Sequence, residues 1–188
     1  GMYKDEAGHT AIMEAVSRAQ ELILVEEDTK AYVGMAGSKR YCDLLAQTTL
    51  GADHTVLTNN RFAVAQTPGG SGALRVLAEF INVAKPGATV WAGNPTWANH
   101  SPIMQSAGLE IKQYPYYDKD TKAVDFDGML ATLKAETKAG DVVLLHACCH
   151  NPSGADLSLE QWQATADVIK AKGLLPYVDL SLIHISEP

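Results

Sequence analysis

The sequence predicts an α/β protein with a mostly parallel sheet flanked by helices. Three observations carry that prediction. From Phe62 onward, short apolar runs alternate with segments of helical periodicity, the pattern of a parallel sheet covered on both faces. Glycine and Pro-Gly breaks fall between those segments, where chain reversals are needed. Hydrophobic residues make up 46% of the 188 residues and charged residues 20%, enough apolar material for a packed core and too little charge for a disordered chain.

Taken in order, 11–27 reads as a helix, with Ile12, Ala15, Val16, Ala19, Leu22 and Ile23 at helical spacing. Gly34 and Gly37 break the chain, and a second helix runs from Arg40 to Leu50 before Gly51. Phe62–Gln66 reads as a strand and Ala73–Val83 as a helix, with a glycine-rich loop between them. Thr89–Ala92 is a strand after the Pro86-Gly87 turn, 99–107 a short helix, and Leu109–Tyr114 a strand. Asp125 caps a helix to about Lys138, and Val142–Cys148 is a buried strand. Ser158 and Gln161 form a capping box opening a helix with Leu159, Trp162, Ala166 and Ile169 on one stripe. Gly173 stops it, and Leu174–Leu180 is the last strand.

Lys plus Arg number 15 and Asp plus Glu 22, for a net charge of −7, which argues against nucleic acid as a partner. No apolar run is long enough to span a membrane, and the start lacks a signal-peptide pattern. Three cysteines, two of them adjacent in an apolar run, argue against a disulfide framework. These features together predict a cytoplasmic protein.

Ligands of parallel sheets sit beyond the carboxyl ends of the strands, which directs attention to 67–72, 93–100, 150–154 and 179. In the loop Gln66-Thr-Pro-Gly-Gly-Ser-Gly72, glycines and a following helix suit a phosphate, and Ser71 adds a hydroxyl donor. A tight turn needing only positive φ is the alternative. No Lys follows as in a Walker loop, and Arg75 stands where a dinucleotide fingerprint needs its third glycine. Trp97 can stack on a flat ring or serve the core, and His100 can be structural. His146-Ala-Cys-Cys-His150 tempts a metal assignment, yet on an extended strand His146, Cys148 and His150 share one face and Cys149 the other. The spacing matches no zinc pattern, so packing cysteines are expected and no metal. The Asn151 amide can donate to a ligand oxygen. Asp179 closes an apolar run, where a charge needs a partner.

Four segments occur in order: Gly1-Met-Tyr-Lys-Asp-Glu6, Gln66-Thr-Pro-Gly-Gly-Ser-Gly-Ala-Leu-Arg75, Asn94-Pro-Thr-Trp-Ala-Asn-His100 and Cys148-Cys-His-Asn-Pro-Ser-Gly-Ala-Asp156. Together they resemble the aspartate/aromatic-amino-acid aminotransferase family, the fold-type-I pyridoxal-phosphate enzymes, across residues 1 to 179. The resemblance implies transfer of an amino group from aspartate or an aromatic amino acid to a 2-oxo acid such as 2-oxoglutarate. It implies pyridoxal 5′-phosphate as cofactor, with Gly70 and Ser71 on the phosphate, Trp97 on the ring, Asn151 on the phenolic oxygen and Asp179 on the pyridine nitrogen. His100 and His146 would support Asp179, Tyr32 would serve the phosphate of a neighbouring subunit in a homodimer, and Gly1 would lie near substrate. On this resemblance, 1–10 is a residual small-domain segment and 11–179 a partial cofactor domain.

The departures matter equally. No lysine here sits in the family's Schiff-base context, and the carboxylate-binding arginines have no counterpart. After Asp179 the chain reads Leu-Ser-Leu-Ile-His-Ile-Ser-Glu-Pro188, unlike the family, so 180–188 is expected to be a foreign tail. The chain is therefore expected to be an inactive fragment of an active parent. A lyase or decarboxylase on the same cofactor, or a catalytically dead phosphate-binding module, are the alternatives.

Overall fold

The computed structural model describes residues 4–180. Gly1 and 181–188, where a substrate-side glycine and most of a foreign tail were expected, lie outside the described residues. The chain divides into two compact units, Gly1–Gln66 and Thr67–Pro188.

The first unit contains α1 (Glu14–Glu26), α2 (Lys39–Leu50) and the single turn α3 (Thr55–Thr58). Ser38 caps α2 by accepting the Tyr41 N–H, and Gly51 ends it at φ 87°, a conformation that favours glycine. The apolar stripe of α1 is present, but none of its residues is buried. Phe62–Gln66, expected as a strand, is irregular. Its apolar residues find no neighbouring strand among the described residues, and Phe62 stays exposed. Backbone pairing, not local composition, makes a strand.

The second unit holds the predicted fold. Its elements are α4 (Gly69–Ala84), β1 (Thr89–Asn94), α5 (His100–Ser106), β2 (Glu110–Pro115), β3 (Tyr117–Asp118), β4 (Ala123–Val124), α6 (Phe126–Glu136), β5 (Val142–His146), α7 (Leu159–Lys172) and β6 (Leu175–Asp179). Four strands pair in parallel in the order β2-β1-β5-β6. The β3/β4 hairpin is a two-residue antiparallel pair too short to show in sequence periodicity.

Strand alternation builds a core on each face. Val90, Ala92, Val142, Leu144 and Tyr177 face Leu74, Ala78 and Ile81 of α4 and Met104 of α5. Trp91, Val143 and Leu145 face Met129 and Leu133 of α6 and Val168 and Ile169 of α7. The Ser158/Gln161 capping box forms in full, and Asp125 accepts the Gly128 N–H. The buried stripe of α7 is rotated from the expected one. Thr165, Val168 and Ile169 are buried and Trp162 packs beside them, while Leu159 and Ala166 are exposed.

Three differences bear on the site. α4 begins at Gly69, so Gly70 and Ser71 belong to its first turn and not to a preceding loop. β5 ends at His146, and 147–149 are bends. The sharing of one strand face by His146, Cys148 and His150 therefore does not occur. Cys149 adopts φ 50°, and the chain turns away from the sheet there.

Candidate active site

The strand order places the site. From β1 the chain steps outward to β2, then returns on β1's other side to β5 and β6. A ligand crevice is expected where the direction reverses, beyond the ends of β1 and β5. Trp97 and His100 follow β1 directly, and His146 ends β5 opposite Asp179 in the register with β6. The Ala147 N–H donates to the Asp179 carbonyl at 2.9 Å, holding these two strand ends together.

A polar chain crosses this crevice. The Asn151 backbone N–H donates to His146 Nδ1 at 3.2 Å. His146 Nε2 lies 3.2 Å from Thr96 Oγ1, Thr96 Oγ1 lies 2.7 Å from His100 Nδ1, and His100 Nε2 lies 2.9 Å from Asp179 Oδ2. The Asn151 N–H, an obligatory donor at one end, and the Asp179 carboxylate, an acceptor at the other, fit one direction along the chain. Because the Asn151 N–H donates, His146 Nδ1 accepts and its proton sits on Nε2. That proton goes to Thr96, whose hydroxyl donates to His100, whose Nε2–H donates to Asp179. Neutral His146 fits this order: burial first, then the neighbouring His150 and His100, lower its pKa to about 4.

The rings add a second layer. Trp97 meets His100 edge-on at 5.4 Å, and His100 meets His146 edge-on at 5.1 Å. His150 lies 4.1 Å from His146 and stacks on Tyr116 at 4.0 Å. His100 is fully buried, while the Asp179 side chain is 28% exposed. The supporting histidine is thus sealed away and the carboxylate can reach a ligand.

Helix α4 is also tied to the sheet. The Tyr177 hydroxyl donates to the Leu74 carbonyl at 2.8 Å, tying that helix to β6 two residues before Asp179. Pro68 precedes the helix and offers no side-chain cap. Gly69 takes φ 71°, and a Cβ added at Gly70 would meet nothing within 4 Å. Gly70 and Ser71 are both exposed.

Of the expected site residues, Trp97, His100, His146, Asn151 and Asp179 are linked by these contacts, with Gly70 and Ser71 at the neighbouring helix start. Tyr32 is fully exposed in the first unit. No group of three or more metal-ligating side chains occurs among the described residues, and all three cysteines are free thiols. A shallow cavity of about 520 Å³ along Trp91, Lys112, Gln113 and Glu136 contains none of the site residues. Sequence reasoning missed Thr96, Tyr116 and Asp156. Thr96 stands four residues before His100, a spacing that hints at a contact, but its second partner is fifty residues away.

The family "Aminotransferase class I and II" matches residues 1–185. The chain belongs to this family. The match runs into the stretch expected to be foreign. An aspartate aminotransferase of Salmonella typhi is 42% identical over 181 residues, which is 96% of this chain and 46% of that protein. The structure of an aromatic amino acid aminotransferase from Burkholderia cenocepacia superposes with a TM-score of 0.92 at 42% identity, over 96% of this chain and 45% of the other. An aromatic-amino-acid aminotransferase from Burkholderia pseudomallei, described as covalently bound to pyridoxal phosphate, superposes with a TM-score of 0.92 at 38% identity over the same shares. The chain thus spans less than half the length of these relatives. Among the described residues no helix is long and apolar enough to cross a membrane.

Proposed function

We propose that this chain is part of the cofactor domain of a pyridoxal-phosphate aminotransferase that moves an amino group from aspartate or an aromatic amino acid to a 2-oxo acid. The observation that carries this is the Asp179 carboxylate, held by a buried histidine at the end of a directional polar chain that starts at Asn151.

The residues fit the cofactor's chemistry. An uncapped helix start suits a phosphate through its N–H groups and dipole. Packing within the chain does not require a glycine at 70, whereas close approach of a bound anion does. A partly exposed carboxylate suits a protonated ring nitrogen, an amide suits a phenolic oxygen, and the half-buried Trp97 suits the ring face. Pyridoxal phosphate, when bound, supplies the electron sink for the amino acid's α-carbon.

This chain's residues act on that group by position and charge. Asp179 would hold a proton on the ring nitrogen through its charge and a hydrogen bond. His100 fixes the carboxylate's orientation through the hydrogen bond from its Nε2. Ser71 and the first N–H groups of α4 anchor the phosphate. Tyr32 is assigned to the phosphate of a neighbouring subunit in a homodimer, and Gly1 to the substrate side. Residues 11–179 are read as cofactor domain, 1–10 as a small-domain segment and 180–188 as foreign. A cytoplasmic location is part of the same reading, supported by three unpaired thiols.

The test uses the intact gene product that contains this chain. It should catalyse amino transfer from aspartate or tyrosine to 2-oxoglutarate, and Asp179→Ala should lower the rate by orders of magnitude with the fold retained. A rate within a few-fold of the unsubstituted enzyme would remove Asp179 from this role. Loss of carbon dioxide or of the side chain, in place of amino transfer, would favour a decarboxylase or lyase.

A further inference from the structure

Asn151 must present its amide to the ligand from a loop that has just left the sheet with a left-handed residue at Cys149, φ 50°. Such a conformation is uncommon and strained for a residue with a Cβ. Something has to hold it. The Asp156 carboxylate does: Oδ2 accepts the Cys149 N–H at 2.7 Å and Oδ1 accepts the His150 N–H at 2.8 Å. Two consecutive N–H groups aimed at one anion form a small backbone nest, filled here by a side chain from the far end of the same loop.

The rest of the loop closes around that contact. The Gly154 N–H donates to the His150 carbonyl at 2.7 Å. Ser153 Oγ accepts the Ala155 N–H at 3.2 Å and lies within hydrogen-bond distance of His150 Nδ1, at 2.7 Å. From the opposite side, Tyr116 stacks on His150 and donates its hydroxyl to the Ala155 carbonyl at 2.7 Å. Asn151 is the next residue after the two clamped N–H groups, and its own N–H begins the polar chain to Asp179.

We infer that Asp156 is a positioning residue for Asn151, acting through the Cys149 and His150 backbone and making no contact with cofactor or substrate. This rests on the assignment of Asn151 to the phenolic oxygen of pyridoxal phosphate. A donor at that oxygen favours its anionic form. Losing the donor therefore raises the pH at which the bound cofactor's visible absorbance changes.

The experiment compares the intact holoenzyme with Asp156→Ala, Asn151→Ala and the double variant, each titrated by absorbance with pH and assayed for pyridoxal-phosphate dissociation. Asp156→Ala should raise the absorbance midpoint in the same direction as Asn151→Ala. The double variant should shift no further than Asn151→Ala alone, because both remove one interaction. Asp156→Asn keeps one acceptor oxygen at the same volume, so it should fall between wild type and Asp156→Ala, and it serves if the alanine variant does not fold. A shift with Asn151→Ala but none with either Asp156 variant overturns the positioning role and leaves the functional reading intact. Shifts that add fully in the double variant overturn it as well. No shift with Asn151→Ala overturns the underlying assignment of Asn151 together with the inference.

Discussion

Thr96 joins two histidines through one hydroxyl, accepting from His146 and donating to His100. Thr96→Val keeps the shape but leaves two ring nitrogens without partners. Each buried polar atom so orphaned costs about 1–3 kcal/mol, so urea denaturation should show a loss of that order, and Thr96→Ser should restore most of it. Equal stability of the valine and serine variants would show that the relay contributes nothing. The neighbouring histidines set a pH dependence. Burial lowers the pKa of His150 to about 4, as it does for His146, against 6.5 for the unfolded side chain. The folded state thus binds fewer protons between those values. The stability these residues contribute is fully present above 6.5 and is lost as pH falls toward about 4. The urea midpoint should therefore decline between about pH 6.5 and 5, above the main carboxylate range, and the decline should be shallower in His150→Asn. An unchanged slope in that variant would contradict the assignment.

At the level of elements, Asp141 ties three of them together. It is 1% exposed. One oxygen accepts the Thr89 N–H at 3.2 Å, and the other accepts Trp91 Nε1–H and the Lys138 N–H, both at 3.1 Å. This carboxylate joins the start of β1 to the turn between α6 and β5, and so aligns the two strands whose far ends frame the site. Asp141→Ala leaves three donors unmet and should cost at least about 2 kcal/mol. Asp141→Asn, with one acceptor oxygen left, should cost less. The capping box of α7 is a milder case. Ser158→Ala removes one acceptor at an exposed helix start and should cost about 1 kcal/mol, read as a shift in the denaturation midpoint with an unchanged slope.

For the molecule as a whole, the decisive quantity is its share of the relatives' length, 46% for the first of them. The second unit carries two packed cores and the ends of four parallel strands, which is enough to present Asp179, His100 and Asn151. On the proposed reading it lacks the lysine that would hold the cofactor and the arginine pair that would hold a substrate carboxylate. The 188-residue chain alone should show no multi-turnover amino transfer from aspartate or tyrosine. Sustained turnover by the purified chain would overturn its reading as an inactive part of an enzyme. The net charge of −7 does not weaken the phosphate assignment, since helix-terminal N–H groups act locally and need no basic surface.

What the sequence determined by itself was whatever depends on local pattern. The strand and helix alternation after residue 67, the capping residues Asp125 and Ser158, the stops at Gly51 and Gly173, and the strand-end loops bearing Trp97, Asn151 and Asp179 were all legible, because period, caps and turn chemistry act over a few residues. Phe62–Gln66 shows the limit: its composition suits a strand, yet a strand exists only if another lies beside it. The tertiary structure alone decided which residues meet across long separations. Asp179 reaches His100 across 79 positions, Thr96 bridges to His146, and Tyr116 stacks on His150. Those contacts follow from the order β2-β1-β5-β6, a choice made by the packing of whole elements that no local pattern encodes.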